Sequence, residues 1–62
     1  MFENGDRVRM LRTMEGFAAG CQGVVINIDS MGNLEVTLDR DERGNALAST
    51  LLPHGPANFE KL

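Results

Sequence analysis

The sequence predicts an all-β fold: a small five-stranded barrel built from one strongly bent antiparallel sheet, in a single domain spanning residues 1–62. Apolar and polar side chains alternate with a period of two through most of the chain, as in half-buried strands. Glycine, asparagine, aspartate or proline separates the alternating segments, as tight turns require. The core of so short a chain is small, so a well-closed barrel or association with another chain must add to its stability.

The first predicted strand covers residues 7–12 and begins after Gly5. Val8 and Met10 face one side of this strand, and Arg7 and Arg9 face the other. This alternation indicates a strand with one buried and one solvated face.

A loop follows over residues 13–21, in which Gly16 and Gly20 can adopt positive φ. The next strand is rich in β-branched residues. Its predicted apolar face consists of Val24, Ile26 and Ile28.

Residues 29–33 contain Asp, Ser, Gly and Asn and form a predicted turn. The third strand turns Leu34, Val36 and Leu38 inward, and Glu35 and Thr37 outward. The polar residues 39–45 follow as a loop. This loop is either a charged docking tip or a solvated hairpin end that discourages edge-to-edge pairing.

Residues 46–52 form the predicted fourth strand, although Ala46–Ala48 also suit the start of a short helix. The two prolines of residues 53–56 are expected to break this strand. A short 3₁₀ turn is expected near residues 53–57. Residues 58–62 then form a fifth strand.

Charge and cysteine content narrow the class of protein. Six basic and nine acidic residues give a net charge of −3, whereas a dedicated nucleic-acid binder is usually basic. Cys21 is the only cysteine and cannot form an internal disulfide, so a cytoplasmic location is expected. Residues 1–20 contain no signal-peptide pattern, and no apolar run approaches the length of a membrane helix.

Few residues suit catalysis, so no enzymatic activity and no cofactor are expected. His54 lies between prolines and is interpreted as an exposed turn residue without an orienting partner. Cys21 has no activating neighbour in sequence and is interpreted as a small buried or half-buried thiol. One cysteine and one histidine cannot fill a tetrahedral metal site. The acidic run at Asp39, Asp41 and Glu42 lacks the central glycine and distal glutamate of a calcium loop.

The three arginines of the first strand are the best candidates for binding a partner. Arg7 and Arg9 project to the same side, and Arg12 lies just beyond them, at the start of the loop. Their planar guanidinium groups suit carboxylates or phosphates. The alternative is that these arginines pair internally, across neighbouring strands. The carboxylates within reach would be those of Glu35, Asp39 or Glu60.

Phe17 lies at the tip of the long loop. It is either an exposed anchor for a partner or a side chain folded back over the small core.

Several of these residues also resemble a known motif. Gly5-Asp6-x-Val8-Arg9, then Gly16-Phe17, Gly20, Gly23-x-Val25 and Asp29 is similar to the KOW motif of ribosomal and transcription-elongation proteins. The resemblance implies a Src-homology-3-like barrel. Ala18 and Ala19 stand where those proteins often carry lysine or arginine, which argues against RNA binding.

The opening residues 5–12 also resemble the first strand of the photosystem I E subunit and of the ferredoxin–thioredoxin reductase variable chain, and the nitrile hydratase β chain begins similarly. Plasmid-type dihydrofolate reductases share this fold, but their Val-Gln-Ile-Tyr segment is absent. Residues 56–62 are similar to the end of signalling Src-homology-3 domains. Those domains bind polyproline through Tyr and Trp, which this chain lacks.

These resemblances imply a non-enzymatic docking or assembly module that binds or stabilises a larger protein, or assembles with itself as a homo-oligomer. The arginine face of the first strand predicts an acidic surface patch on the partner. An RNA- or ribosome-associated KOW module is the alternative. A phage- or plasmid-encoded inhibitor, or a homo-oligomeric enzyme of the plasmid-type dihydrofolate reductase fold, are further alternatives with the same composition.

Overall fold

A computed structural model describes residues 1–62 as a single five-stranded antiparallel sheet. The strands are β1 (Arg7–Met10), β2 (Gln22–Ile28), β3 (Leu34–Arg40), β4 (Ala46–His54) and β5 (Phe59–Lys61). They are ordered β4-β3-β2-β1-β5, and a 3₁₀ turn at Pro56–Asn58 precedes β5. The all-β prediction, the five antiparallel strands and the 3₁₀ turn are confirmed. The sheet is open, because no ladder joins β4 to β5.

One face of the bent sheet encloses a core of nine buried side chains. They are Val8, Met10, Cys21, Val25, Leu34, Val36, Leu38, Leu51 and Phe59. All five strands or their immediate flanks contribute to it, so each strand is held by side chains from its neighbours. The predicted inner faces of β1 and β3 are therefore confirmed. No helix of the chain has the length and apolar character needed to span a membrane.

The predicted inner face of β2 is wrong at two of its three positions. Val25 is buried, whereas Val24 is half-buried and Ile26 is 45% exposed. A register shift between Val25 and Asn27 inserts Ile26 as an extra residue opposite β3. The shift changes the phase of the alternation, so Ile28 again packs against the core.

Gly23 explains why the alternation in β2 predicts the wrong phase. It is buried and takes an inward position between β1 and β3, where it lies opposite Val8 and Leu38. A Cβ at this position would lie 2.3 Å from the backbone oxygen of Thr37. Only glycine fits there, and a glycine contributes no apolar side chain to mark the inward face.

The loop between β1 and β2 contains a small hairpin of its own. β1 ends at Met10, two residues earlier than the predicted end at residue 12. Met14 and Phe17 exchange two backbone hydrogen bonds across Glu15 and Gly16, which have φ of 51° and 83°. Positive φ at both central residues is the geometry of a type I′ turn. The positive φ predicted for Gly16 is thus confirmed, as is that of Gly20.

Each of the two remaining hairpin turns is organised by an aspartate. Asp29 Oδ1 accepts hydrogen bonds from the backbone N–H groups of Met31 and Asn33, both at 2.9 Å. Asp41 Oδ1 accepts from the residues two and four positions further on, at 2.8 and 2.9 Å. Each aspartate thus satisfies backbone N–H groups of its own turn. The turn predicted at residues 29–33 is confirmed, and β3 extends through Arg40 before the second turn.

The break predicted at residues 53–56 begins too early. β4 continues through Pro53 to His54, which pairs with Leu34. β4 is an edge strand, and the register between Leu51 and His54 is shifted. Proline is tolerated at such a position because an edge or a bulge leaves its missing N–H without a required partner.

Gly23→Ala should lower the free energy of unfolding by about 2 kcal/mol or more, because the new methyl group meets backbone atoms of β3 that cannot move aside. Urea unfolding followed by circular dichroism measures this change. Gly55→Ala is the matched control, since the nearest side-chain atoms to its added Cβ are 3.8 and 3.9 Å away. A loss in Gly23→Ala no larger than in the control would contradict the packing described for β2.

Candidate functional site

Arg7, the first candidate for partner binding, is engaged within the chain. Its Nη1 and Nη2 atoms donate to Asp39 Oδ2 and Oδ1 at 2.8 and 3.0 Å. The two parallel bonds match the fork of the guanidinium to a single carboxylate. These bonds lower the pKa of Asp39 and raise that of Arg7. Both side chains remain 44% exposed, so the pair lies on the surface of the sheet.

Arg9 is also paired within the chain, with a carboxylate of the neighbouring strand β5. It lies opposite Glu60 of β5, and its Nε donates to Glu60 Oε1 at 2.6 Å. Nη2 donates to the same oxygen. The alternative of internal pairing is therefore what the structure shows for Arg7 and Arg9. Both arginines remain partly exposed, but a carboxylate of the same chain already offsets the charge of each.

Half of the basic residues are ion-paired and half are not. Arg7, Arg9 and Lys61 each contact a carboxylate, and for Lys61 the Nζ to Asp6 Oδ2 distance is 3.3 Å. The other three basic side chains are exposed and have no carboxylate within 4 Å. They are Arg12, Arg40 and Arg43.

The three unpaired arginines lie at one end of the sheet, which we call the arginine end. β1 and β3 are both antiparallel to β2, so their carboxyl ends meet at this end. Arg12 follows β1 by two residues, Arg40 ends β3, and Arg43 lies in the turn between β3 and β4. Of the predicted partner-binding arginines, Arg12 alone belongs to this group.

The two acidic residues at the arginine end are partly occupied by the chain itself. Asp41 binds the backbone N–H groups of Asn45 and Arg43, and these bonds lower its pKa. Glu42 Oε2 lies 3.8 Å from the Cys21 sulfur. Neither carboxylate lies within 4 Å of an arginine nitrogen, so the guanidinium groups of Arg12, Arg40 and Arg43 have no ion pair within the chain.

Arg40 and Arg43 were not singled out from the sequence. They were included in the charged loop at residues 39–45, where arginines and carboxylates alternate. That pattern indicates that the charges of this loop neutralise one another. The signal that identifies them is the aspartate of the turn, because a carboxylate committed to backbone N–H groups leaves a neighbouring arginine unpaired.

Phe17 is folded back onto the protein. Its side chain is partly buried and packs against the core, and its backbone pairs with Met14. Of the two interpretations of Phe17, the structure shows the folded-back side chain. The ring stabilises the hairpin of the loop.

His54 and Glu15 form a contact that the sequence did not predict. His54 is a residue of β4 rather than of an exposed turn, and its Nε2 lies 2.7 Å from Glu15 Oε2. The same carboxylate oxygen accepts the backbone N–H of Leu52 at 3.0 Å. Glu15 is also the only residue other than glycine with positive φ. The tip of the β1–β2 loop is thereby fixed to the edge strand.

Cys21 has the properties of a structural thiol. It is buried, as predicted, and burial raises its pKa, with the nearby Glu42 carboxylate acting in the same direction. A raised pKa keeps the thiol protonated at neutral pH, and the protonated form is a poor nucleophile.

An open apolar groove of about 460 Å³ lies at the end of the sheet opposite the arginines. It is lined by Met1, Phe2, Ile28, Gly32, Leu34 and Pro56. These walls carry no titratable side chain. The groove therefore suits an apolar side chain better than a phosphate or a reacting polar group.

Comparison of the chain with protein-family models, with curated proteins and with solved structures gives no match. A proposal of function for this chain is therefore based on the arrangement of its side chains. The most distinctive arrangement is the segregation of the unpaired arginines to one end of an otherwise acidic chain.

Asp39→Asn should remove a pH-dependent contribution to stability. Arg7 holds the pKa of Asp39 below its ordinary value of 3.8, so the folded chain favours the charged carboxylate. The stabilisation is fully present above that value and is lost as the pH falls through the lower pKa of the folded state. Because the pair is exposed, it should amount to about 1 kcal/mol or less at neutral pH.

Urea unfolding of the wild type and of Asp39→Asn, between pH 2 and pH 7, measures this effect. The two unfolding free energies should differ at neutral pH and converge in acid. Glu35→Gln is the matched control on the same strand, since Glu35 has no ion pair. A constant difference across the whole pH range would show that Asp39 acts by some means other than its charge.

Proposed function

We propose that the chain is a non-enzymatic protein-interaction module that binds a larger protein through an acidic patch on that partner. The observation that carries the proposal is the arginine end, where Arg12, Arg40 and Arg43 are exposed and unpaired. Guanidinium groups at such a surface gain charge-assisted hydrogen bonds when carboxylates replace water. The free thiol of Cys21 is compatible with a reducing compartment, and we propose that the module acts in the cytoplasm.

The partner of the arginine end is a protein rather than a nucleic acid. The chain carries a net charge of −3, so a phosphate backbone approaching it meets overall repulsion. Asp41 and Glu42 also lie between Arg40 and Arg43 in the chain. A folded partner can place its carboxylates opposite the arginines and avoid these two residues, whereas a continuous phosphate chain cannot do so as readily.

The revised site changes which arginines are expected to bind. Arg7 and Arg9 are held by Asp39 and Glu60, and displacing those carboxylates would cost two hydrogen bonds each. Arg12 keeps its predicted role and is joined by Arg40 and Arg43. Phe17 is removed from the contact, because its ring packs on the core of its own chain.

Capture of partner proteins from an extract of the native host should depend on the arginine end. We expect the triple variant Arg12→Gln, Arg40→Gln and Arg43→Gln to lose at least about tenfold of the captured partner, measured by quantitative mass spectrometry at low salt. The wild-type complex should dissociate as salt is raised, because surface charges are screened.

The matched control is the double variant Arg7→Gln and Asp39→Asn, which removes a whole ion pair without changing the net charge. It should capture the partner as the wild type does. Capture that is unchanged in the triple variant would overturn the proposal. Binding of a labelled single-stranded RNA with the same dependence on the three arginines would assign the site to nucleic acid instead.

A further inference from the structure

The edge of the sheet that β4 forms carries a second, independent feature, and the geometry of this edge follows from the strand registers. The N–H of Val25 donates to the carbonyl of Asp6, on the β1 side of β2. Backbone groups alternate in direction along a strand, so those of Val24 point towards β3. Val24 lies opposite Thr37, and the backbone groups of Thr37 therefore point towards β2.

The same alternation decides which groups of β4 reach the open edge. The neighbours of Thr37, including Val36, must bond with β4, and Val36 lies opposite Leu51. Leu51 therefore faces β3, whereas Thr50 and Leu52 present their N–H and C=O groups to the free edge. The hydrogen bond from Leu52 N–H to Glu15 agrees with this assignment.

This edge lacks the usual protection by charge. Residues 46–52 contain no charged side chain, and Ala48, Thr50 and Leu52 are all exposed, Leu52 by 71%. Edges of natural sheets are commonly blunted by lysine, proline, bulges or a covering group. Here Pro53 and the register shifts limit the edge to its central residues. Glu15 covers one amide within that stretch.

Glu15 occupies the place of a missing strand. Its Oε2 accepts from the N–H of Leu52 at 3.0 Å, as the carbonyl of an added antiparallel strand would. Glu15 reaches this position from the type I′ turn of the loop, where its positive φ is an unfavourable backbone conformation for a residue with a side chain. An acceptor is therefore already present at the edge, supplied by a strained residue of the same chain.

We propose that the β4 edge binds the β4 edge of a second copy of this chain, and that Glu15 competes with the second copy for the Leu52 amide. With Thr50 on the two-fold axis, Thr50 of each copy exchanges two hydrogen bonds with the other. Leu52 of one copy then lies opposite Ala48 of the other. No like charges meet in this register, so the edge is complementary to itself.

A second copy fits this edge for two reasons. Pairing extends the sheet from five strands to ten and places the exposed Leu52 side chain beside Ala48 of the other copy. A 62-residue chain with nine buried side chains has a small core, so added packing against a second copy would increase its stability. The shared edge is short, so the dimer is weak and concentration-dependent.

Sedimentation velocity over a concentration series, up to about 1 mM, tests the proposal. Glu15→Ala frees the Leu52 amide and should lower the dimer dissociation constant at least about tenfold relative to the wild type. Glu15→Gln keeps an acceptor oxygen at the same length and should behave as the wild type. A dissociation constant in Glu15→Ala that is unchanged or higher overturns the proposal.

A second substitution identifies the surface. Thr50→Pro, combined with Glu15→Ala, removes an outward N–H that β3 does not use and should return the chain to a monomer. If circular dichroism shows that this variant does not fold, Thr50→Lys serves instead, because two like charges then meet on the axis. Association that persists in the Thr50 variant that folds places the contact elsewhere and also overturns the proposal.

Discussion

The close approach of β2 to β3 at Gly23 is the constraint on which the rest of the structure depends. An inward-facing position without a side chain lets the backbone of β2 lie against that of β3, where a Cβ would be 2.3 Å from the Thr37 oxygen. This contact fixes the phase of β2, so Val25 enters the core. It also fixes the positions of β1 and β3 on either side of β2.

The charges on the outer surface follow from that register. Arg7 and Asp39 belong to strands that are not adjacent, β1 and β3, and their side chains meet across the outer face of β2. Arg9 meets Glu60 because β5 returns to pair with β1. The same pairings leave Arg40 at the end of β3, and Arg12 and Arg43 in the segments that follow β1 and β3. The distribution of free charge is thus a consequence of strand register rather than of composition.

The two proposed surfaces use different physics and different parts of the sheet. The arginine end offers charge to a partner and responds to salt. The β4 edge offers backbone hydrogen bonds and uncharged side chains, and it is covered by Glu15. Because Ala46 begins β4 near the arginine end and Glu15 contacts its opposite half, the two surfaces can be altered separately.

The all-β class, the turns and the inner face of β3 could be predicted from the sequence, because alternation and turn chemistry act over a few neighbouring residues. It also indicated that the arginines of β1 face solvent. Contacts between distant segments set the phase of β2, the pairing of Arg7 and Arg9, and the contact from Glu15 to β4. These contacts join residues 32, 51 and 37 positions apart, and only the register between distant strands brings such residues together. The resemblance to KOW-type barrels stays a prediction, because it is carried by short stretches of sequence and not by contacts between distant strands.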